Sequence, residues 1–253
     1  MPELKEIIKT YGAIPPLTSF KRPMFVGPHP DDIEIGAGAT AAKLAAAGKD
    51  VCFTICTDGR YGTDHAPAGL IGDELATVRK KEAEASASLL GVRDLRFLDF
   101  SDGGFYEVQE MQQAIAAVVS DFRPDVIFAP DPVVSSECHT DHLNVGEAAR
   151  RIAIFAPNPG IMRERGLSPA PVQALAYYMT AKANQFISTR GYLQLQLKSI
   201  YDCHKSQFLE RDAVAVYLRL RSADFGLRTL TGSAEGFRVL GVTQMHCLPE
   251  AGK

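Results

Sequence analysis

The segment Met24-Phe-Val-Gly-Pro-His-Pro-Asp-Asp-Ile-Glu-Ile-Gly-Ala-Gly38 drives an apolar run straight into one imidazole and two carboxylates. Met24 to Val26 reads as a buried strand. Gly27, Pro28 and Pro30 stop it, so His29, Asp31 and Asp32 fall at its carboxyl end. In open α/β sheets that edge is where ligands bind. Gathering such groups at a buried strand end is unfavourable unless a cation compensates them, and a divalent metal is the natural candidate. The same residues also suit a plainer role, with Asp31 or Asp32 capping the helix that carries Thr40 to Ala47.

A second cluster favours the metal. Val126-Ile-Phe-Ala-Pro-Asp131 is another short apolar run ended by proline, and His139-Thr-Asp-His142 follows it, opening a helix from Leu143 to Phe155. Two strand ends of one sheet can then present three histidines and three aspartates to a common point. Zinc accepts neutral imidazole and carboxylate, and catalytic zinc sites typically use three protein ligands and keep a fourth position open. Calcium or magnesium would call for mostly oxygen ligands.

Outward from these clusters, strands and helices alternate. Gly48 stops the first helix and Val51 to Thr57 reads as a strand. Glu74 to Leu90 is an amphipathic helix ended by Gly91. A strand at Leu95 to Leu98, a helix at Val108 to Phe122 and the strand Val126 to Ala129 follow. This order predicts an α/β fold, a Rossmann-like three-layer α/β/α sandwich with a mostly parallel sheet. Beyond Pro157 the pattern loosens. Leu175 to Met179 and Phe186 to Ser188 read as further strands, Tyr192 to His204 and Arg211 to Ala223 as helices. Asp58 to Gly72 is a long, breaker-rich loop, and loops of that length are usually functional. The chain of 253 residues shows no linker or repeat, so one domain spanning 1–253 is expected.

Net charge is −3 and the pI near 6.1, which gives no global field for nucleic acid or acidic membranes. No apolar stretch approaches a membrane span, and Met1-Pro-Glu-Leu-Lys-Glu6 lacks the features of a signal peptide. A cytoplasmic protein is expected. The five cysteines (Cys52, Cys56, Cys138, Cys203 and Cys247) form no CxxC pair. Cys52 and Cys56 share one face of their strand as buried thiols. Cys138 adjoins His139, but the nearby His and Asp groups already supply a full metal set. His65 and His246 fall outside both clusters and read as surface residues.

His29-Pro-Asp-Asp32 and His139-x-Asp-His142 resemble the paired signatures of the LmbE-like, or PIG-L, zinc-dependent N-deacetylases. Further similarity runs through Thr57-Asp-Gly59, Arg79-Lys-Lys-Glu-Ala, Leu89-Leu-Gly-Val92, Phe128-Ala-Pro-Asp-Pro132, His204-Lys-Ser-Gln-Phe208 and Glu235-Gly-Phe-Arg-Val239. Within the family the resemblance is to diacetylchitobiose and N-acetylglucosamine deacetylases. It implies Zn2+ held by His29, Asp32 and His142. It also implies Asp31 as general base, His139 facing the developing oxyanion, and Asp141 orienting His139. Arg79 and Asp102 match positions that hold sugar hydroxyls, although Arg79 among Lys80, Lys81 and Glu82 also reads as a solvated charge run. Thr140 and Pro28 stand where proline and alanine are frequent. Glu137 and Cys138 occupy a stretch where some relatives carry tyrosine. The implied partner is a small amino-sugar, with the protein itself a homo-oligomer (trimer or hexamer).

These residue types fit acetamide hydrolysis, as they fit other zinc-assisted amide cleavages: Asp31 relays the proton of a water to the departing amine, and His139, as a cation held by Asp141, complements the oxyanion. A related alternative is deacetylation of an N-acetylglucosaminyl conjugate in thiol or lipid-head biosynthesis. Two readings compete from other classes. Gly36-Ala-Gly-Ala-Thr-Ala41 before a helix, with Asp58 further on, matches a dinucleotide-binding pattern, although His29 to Ile35 intervene after the strand. A noncatalytic sugar-binding protein on the same fold is the other.

Overall fold

Alternate residues of the central strands feed two separate cores, as a sheet covered on both faces requires. The computed structural model describes residues 13–63, 65–208 and 213–246. Phe25, Phe53, Ile55 and Phe128 pack into one core, while Met24, Val26, Cys52, Cys56, Ile127 and Ala129 pack into the other. The strands are β1 (Pro23–Gly27), β2 (Cys52–Thr57), β3 (Asp94–Phe100), β4 (Val126–Pro130), β5 (Ala174–Tyr178), β6 (Gln185–Ser188) and β7 (Ala234–Gly241). They form one seven-stranded sheet in the order β3-β2-β1-β4-β5-β7-β6. The first five in that order are parallel, and β7 runs antiparallel to both its neighbours.

Helices α1 (Asp32–Ala46) and α2 (Gly72–Leu89) contribute Ala37, Ala41, Leu44, Ala83 and Ala87 to the first core. Helices α3 (Val108–Phe122) and α4 (Thr140–Phe155) contribute Met111, Ile115, Val119, Val145 and Ile152 to the second. The result is the expected three-layer α/β/α arrangement with a mostly parallel sheet. The chain runs outward from β1 through β2 to β3, then returns to pair β4 with β1, setting Phe25 opposite Phe128. The crevice at such a reversal, at the carboxyl ends of β1 and β4, is the standard ligand position of open sheets.

Three details of this frame correct the sequence reading. Helix α1 extends back to Asp32; its N-cap Asp31 makes no side-chain cap bond, so the plain capping role for these carboxylates does not hold. Gly36 and Gly38 lie inside α1 rather than in the turn after β1. A Cβ at Gly36 would stand 2.2 Å from the Tyr178 ring and one at Gly38 would stand 3.1 Å from Gln196, so close packing is what requires them. That removes the dinucleotide fingerprint. The predicted helix Tyr192 to His204 divides into α6 (Leu193–Lys198) and a π-turn over Ser199–Cys203.

Among the described residues three elements escaped the sequence reading, a one-turn 3-10 helix at Leu17–Ser19, the short α5 (Pro159–Glu164) and β7. The remaining helix, α7 (Ala213–Thr229), runs past the predicted end at Ala223. β7 also braces α1: where Ala37 leaves helical geometry, Glu235 accepts the N–H groups of Ala39 and Thr40 at 3.3 and 2.8 Å. Residues 1–6, Asp64, Arg211, Asp212 and Cys247, on which sequence expectations also fell, lie outside the described residues.

Candidate active site and metal centre

β1 and β4 end side by side, and the loops leaving them bring His29, Asp32 and His142 together, each with a ligand atom within 4.8 Å of the others. Both imidazoles turn one nitrogen toward Asp32. His29 Nδ1 lies 2.9 Å from Asp32 Oδ2, and His142 Nε2 lies 3.4 Å from Asp32 Oδ1. The opposite nitrogen of each ring is held by a second carboxylate. For His29 it is Asp141, 3.1 Å from Nε2; for His142 it is Glu137, 2.9 Å from Nδ1. A carboxylate behind the ring fixes its tautomer and aim, which is how metal-binding imidazoles are normally held.

The charges ask for a cation at this point. Burial works against protonation of His142, but Asp32 and then Glu137 outweigh it and push the ring up to about 9. His29 is likewise raised despite burial, by Asp102, Asp141 and Asp32. Burial opposes ionisation of Asp32, and His142 and His29 prevail and lower it. Two imidazolium charges thus gather around one carboxylate, and a divalent ion can replace them with release of protons. The donor set of two imidazoles and one carboxylate fits a metal ion such as zinc. A second group, His29, Asp102, His139 and Asp141, shares His29. It is the weaker candidate, because Asp141 already accepts the N–H groups of Gly103 and Gly104 at 2.8 and 2.9 Å, and Asp102 accepts that of Tyr61 at 3.2 Å.

Asp31 stands beside the metal group in a strained backbone, at φ 154° and ψ −22°. Burial lifts its carboxyl to about 6, even though Arg79 pulls the other way. Arg79 is 3% exposed, so the solvated reading fails. Its Nη2 donates to Asp31 Oδ2 at 2.9 Å and its Nη1 to the Gly59 carbonyl at 2.9 Å. Asp102, 5% exposed, sits 3.3 Å from His29 Nε2. Both residues expected to grip sugar hydroxyls are buried and engaged, Arg79 with Asp31 and Asp102 with His29.

The expected Asp141–His139 arrangement also changes. The nearest approach of the carboxylate to His139 Nδ1 is 3.8 Å, an ion-pair distance and no hydrogen bond. Instead the backbone N–H of Asp141 donates to His139 Nδ1 at 3.3 Å. Burial, then His29 and His142, lower the His139 pKa, so the ring is neutral rather than a cation. With Nδ1 accepting, its proton sits on Nε2. The side chain is 47% exposed, at the mouth of the crevice. The Asp141 carboxylate lies 3.1 Å from His29 Nε2 instead.

The contact of Glu137 with His142 is the one the sequence reading passed over; the five-residue separation of the two was the available signal. His204, at the end of a predicted helix, turns its side chain inward. It is fully buried, with Nε2 3.2 Å from Glu34, which also accepts from Ser86 at 2.5 Å. Cys138 is exposed and unpaired, outside both metal groups. His65 and His246 are exposed, as expected.

This fold and this His/Asp centre define a class, and the chain belongs to the PIG-L family: the family model described as GlcNAc-PI de-N-acetylase matches residues 24–153. Diacetylchitobiose deacetylase of Thermococcus kodakarensis is 33% identical over 241 residues, covering 93% of this chain and 89% of that protein. Among solved structures, the N,N'-diacetylchitobiose deacetylase of Pyrococcus horikoshii in complex with its inhibitor MPG superposes with a TM-score of 0.89. It is 30% identical, with 98% of this chain and 97% of that chain covered. A 1D-myo-inositol 2-acetamido-2-deoxy-alpha-D-glucopyranoside deacetylase of Kineococcus radiotolerans is 33% identical over 178 residues, 59% of this chain and 49% of that protein. Among the described residues no helix is long and apolar enough to cross a membrane.

Proposed function

We propose that the protein is a zinc-dependent N-deacetylase that removes the acetyl group from an N-acetylglucosaminyl substrate of the N-acetylglucosamine or diacetylchitobiose type. The observation that carries this reading is the pair of carboxylate-backed imidazoles, His29 and His142, aimed at Asp32 beside the unsaturated carboxylate of Asp31. Likeness to the two diacetylchitobiose deacetylases supports the substrate class over the inositol-linked one, because it extends along nearly the whole chain.

His29, Asp32 and His142 hold the metal. Zinc bound there supplies a water of lowered pKa and a positive charge for the acyl oxygen. Asp31 is the general base: with a pKa of about 6 it is ionised at neutral pH yet basic enough to take a proton from the attacking water and return it to the leaving nitrogen. Arg79 positions Asp31. His139, neutral, donates from Nε2 to the oxyanion as it develops. Asp141 fixes His29 and, through Gly103 and Gly104, the loop after β3.

The activity belongs to one domain of this chain. Assembly into a trimer or hexamer is supported by apolar side chains exposed along α7, among them Val216, Leu220 and Leu227. The free thiols Cys52, Cys56, Cys138 and Cys203 suit a reducing, cytoplasmic setting.

The test is amine release from N-acetylglucosamine and diacetylchitobiose by purified protein, with metal analysis of the same sample. About one zinc per chain, with activity lost to a chelator and restored by zinc, is the expected result. Full activity in a metal-free preparation sinks the proposal.

A further inference from the structure

Two aromatic rings stand at the rim of the crevice with no role in the chemistry above. Tyr61 is 54% exposed and Phe105 is 71% exposed, and their centroids lie 5.8 Å apart at 69°. Among the described residues no other pair of Phe or Tyr rings in contact has both members exposed. Both rings rest on Gly103, where a Cβ would meet Phe105 at 3.1 Å and Tyr61 at 3.5 Å. Gly103 and Gly104 take φ of 83° and 79°, the left-handed geometry that this turn needs and glycine permits.

The loops carrying the rings are fixed from below. Gly103 N–H donates to Asp141 and Tyr61 N–H to Asp102, the two carboxylates that face His29 Nε2. The Gly62 carbonyl accepts from Gln207 at 2.8 Å. Two exposed aromatic rings in edge-to-face contact are therefore carried on anchored loops beside the site, and an exposed apolar patch in such a place marks a binding surface.

We propose that Tyr61 and Phe105 form a carbohydrate platform for the sugar unit attached to the hexosamine that is deacetylated. This inference rests on the deacetylase reading and narrows it to saccharides of two or more units. A pyranose with equatorial substituents presents a face of axial C–H groups, which packs on aromatic rings through dispersion and weak C–H contacts. The platform flanks His29 on the β2–β3 side. On the β4–β5 side a cavity of about 180 Å³, lined by Ile35, Pro130, Glu137 and Met179, opens beside Asp32 and His142.

The experiment compares kcat/KM for diacetylchitobiose with kcat/KM for N-acetylglucosamine in wild type, Tyr61→Ala and Phe105→Ala. The disaccharide-to-monosaccharide ratio should fall about three- to tenfold in each alanine variant and recover in Tyr61→Phe and Phe105→Tyr. Titration calorimetry with fully deacetylated chitobiose against glucosamine should show the same loss of preference. An unchanged ratio, or parallel losses on both sugars, overturns the platform. So does a change of oligomeric state in light scattering, which would assign the ring pair to contacts between copies. If wild type releases no amine from either sugar, the deacetylase reading fails instead, and the calorimetric preference still decides the platform.

Discussion

Pro30-Asp31 and Pro130-Asp131 lie at the carboxyl ends of neighbouring parallel strands, and each aspartate meets a buried arginine, yet only one is left chemically available. Asp131 accepts Arg238 through both oxygens at 2.9 and 2.6 Å, the Thr180 hydroxyl at 2.6 Å and the Val133 N–H at 3.1 Å. Asp31 takes a single close nitrogen of Arg79, at 2.9 Å. A carboxylate saturated with donors is a structural anchor. One with a single donor, buried and next to another carboxylate, keeps its basicity. On the proposed reading, the same dipeptide serves as brace or as base according to how many donors surround it.

Removing the brace should have the largest effect. Arg238→Met leaves Asp131 buried without its fork of donors, and breaking a buried pair in this way destabilises by about 3–5 kcal/mol. Chemical denaturation should show that loss, while Arg238→Met paired with Asp131→Leu should recover much of it. Wild-type stability in the single variant would mean that the loop from Asp131 to His139 is held by something else.

Disabling the base should separate chemistry from stability. Asp31→Asn should lower kcat about 10²-fold or more while zinc content stays the same. The pH behaviour carries a sign that can be checked. Burial raises the folded carboxyl to about 6, so the folded state holds this proton more tightly than the unfolded chain does. That stabilising contribution is complete below the ordinary carboxylate range and is lost as pH rises through about 6. Turnover runs the opposite way, falling as pH drops below about 6. A flat acid limb in wild type, or zinc loss in Asp31→Asn, would break the contrast with Asp131.

How much of this was legible in the sequence follows from the kind of signal each part emits. β1 and β4 are short apolar runs ended by proline or glycine, so both strand ends, and His29, Asp31, Asp32, His139, Asp141 and His142 with them, could be located from pattern alone. β7 could not. Ala-Glu-Gly-Phe-Arg-Val-Leu-Gly carries two charges and two glycines, and its burial depends on distant partners, Asp131 for Arg238 and the α1 backbone for Glu235. Arg79 misled for the same reason: among lysines and a glutamate its spacing looks solvated, and only the fold reveals Asp31 beneath it. Pattern reads which groups gather, but the allocation of donors that sets each group's role is tertiary.

The imidazole supports sharpen the comparison at a finer scale. Asp141 is fully buried and holds His29 together with two glycine N–H groups, whereas Glu137 is partly exposed and holds His142 and the His139 N–H, the latter at 2.8 Å. Asp141→Asn should therefore weaken zinc binding toward the upper end of the tenfold to hundredfold range typical of groups that orient ligands, roughly 100-fold. Glu137→Gln should cost about tenfold, because an amide oxygen can still accept from His142 while water shares the load. Competition with a chromophoric chelator measures both affinities on one scale. Glu137→Gln should also ease proton loss from His142, so the pH at which the apo-protein takes up zinc should move down from that of wild type. Equal affinity losses in the two variants, or no downward movement for Glu137→Gln, would show that the exposed carboxylate does not work through the ring it touches.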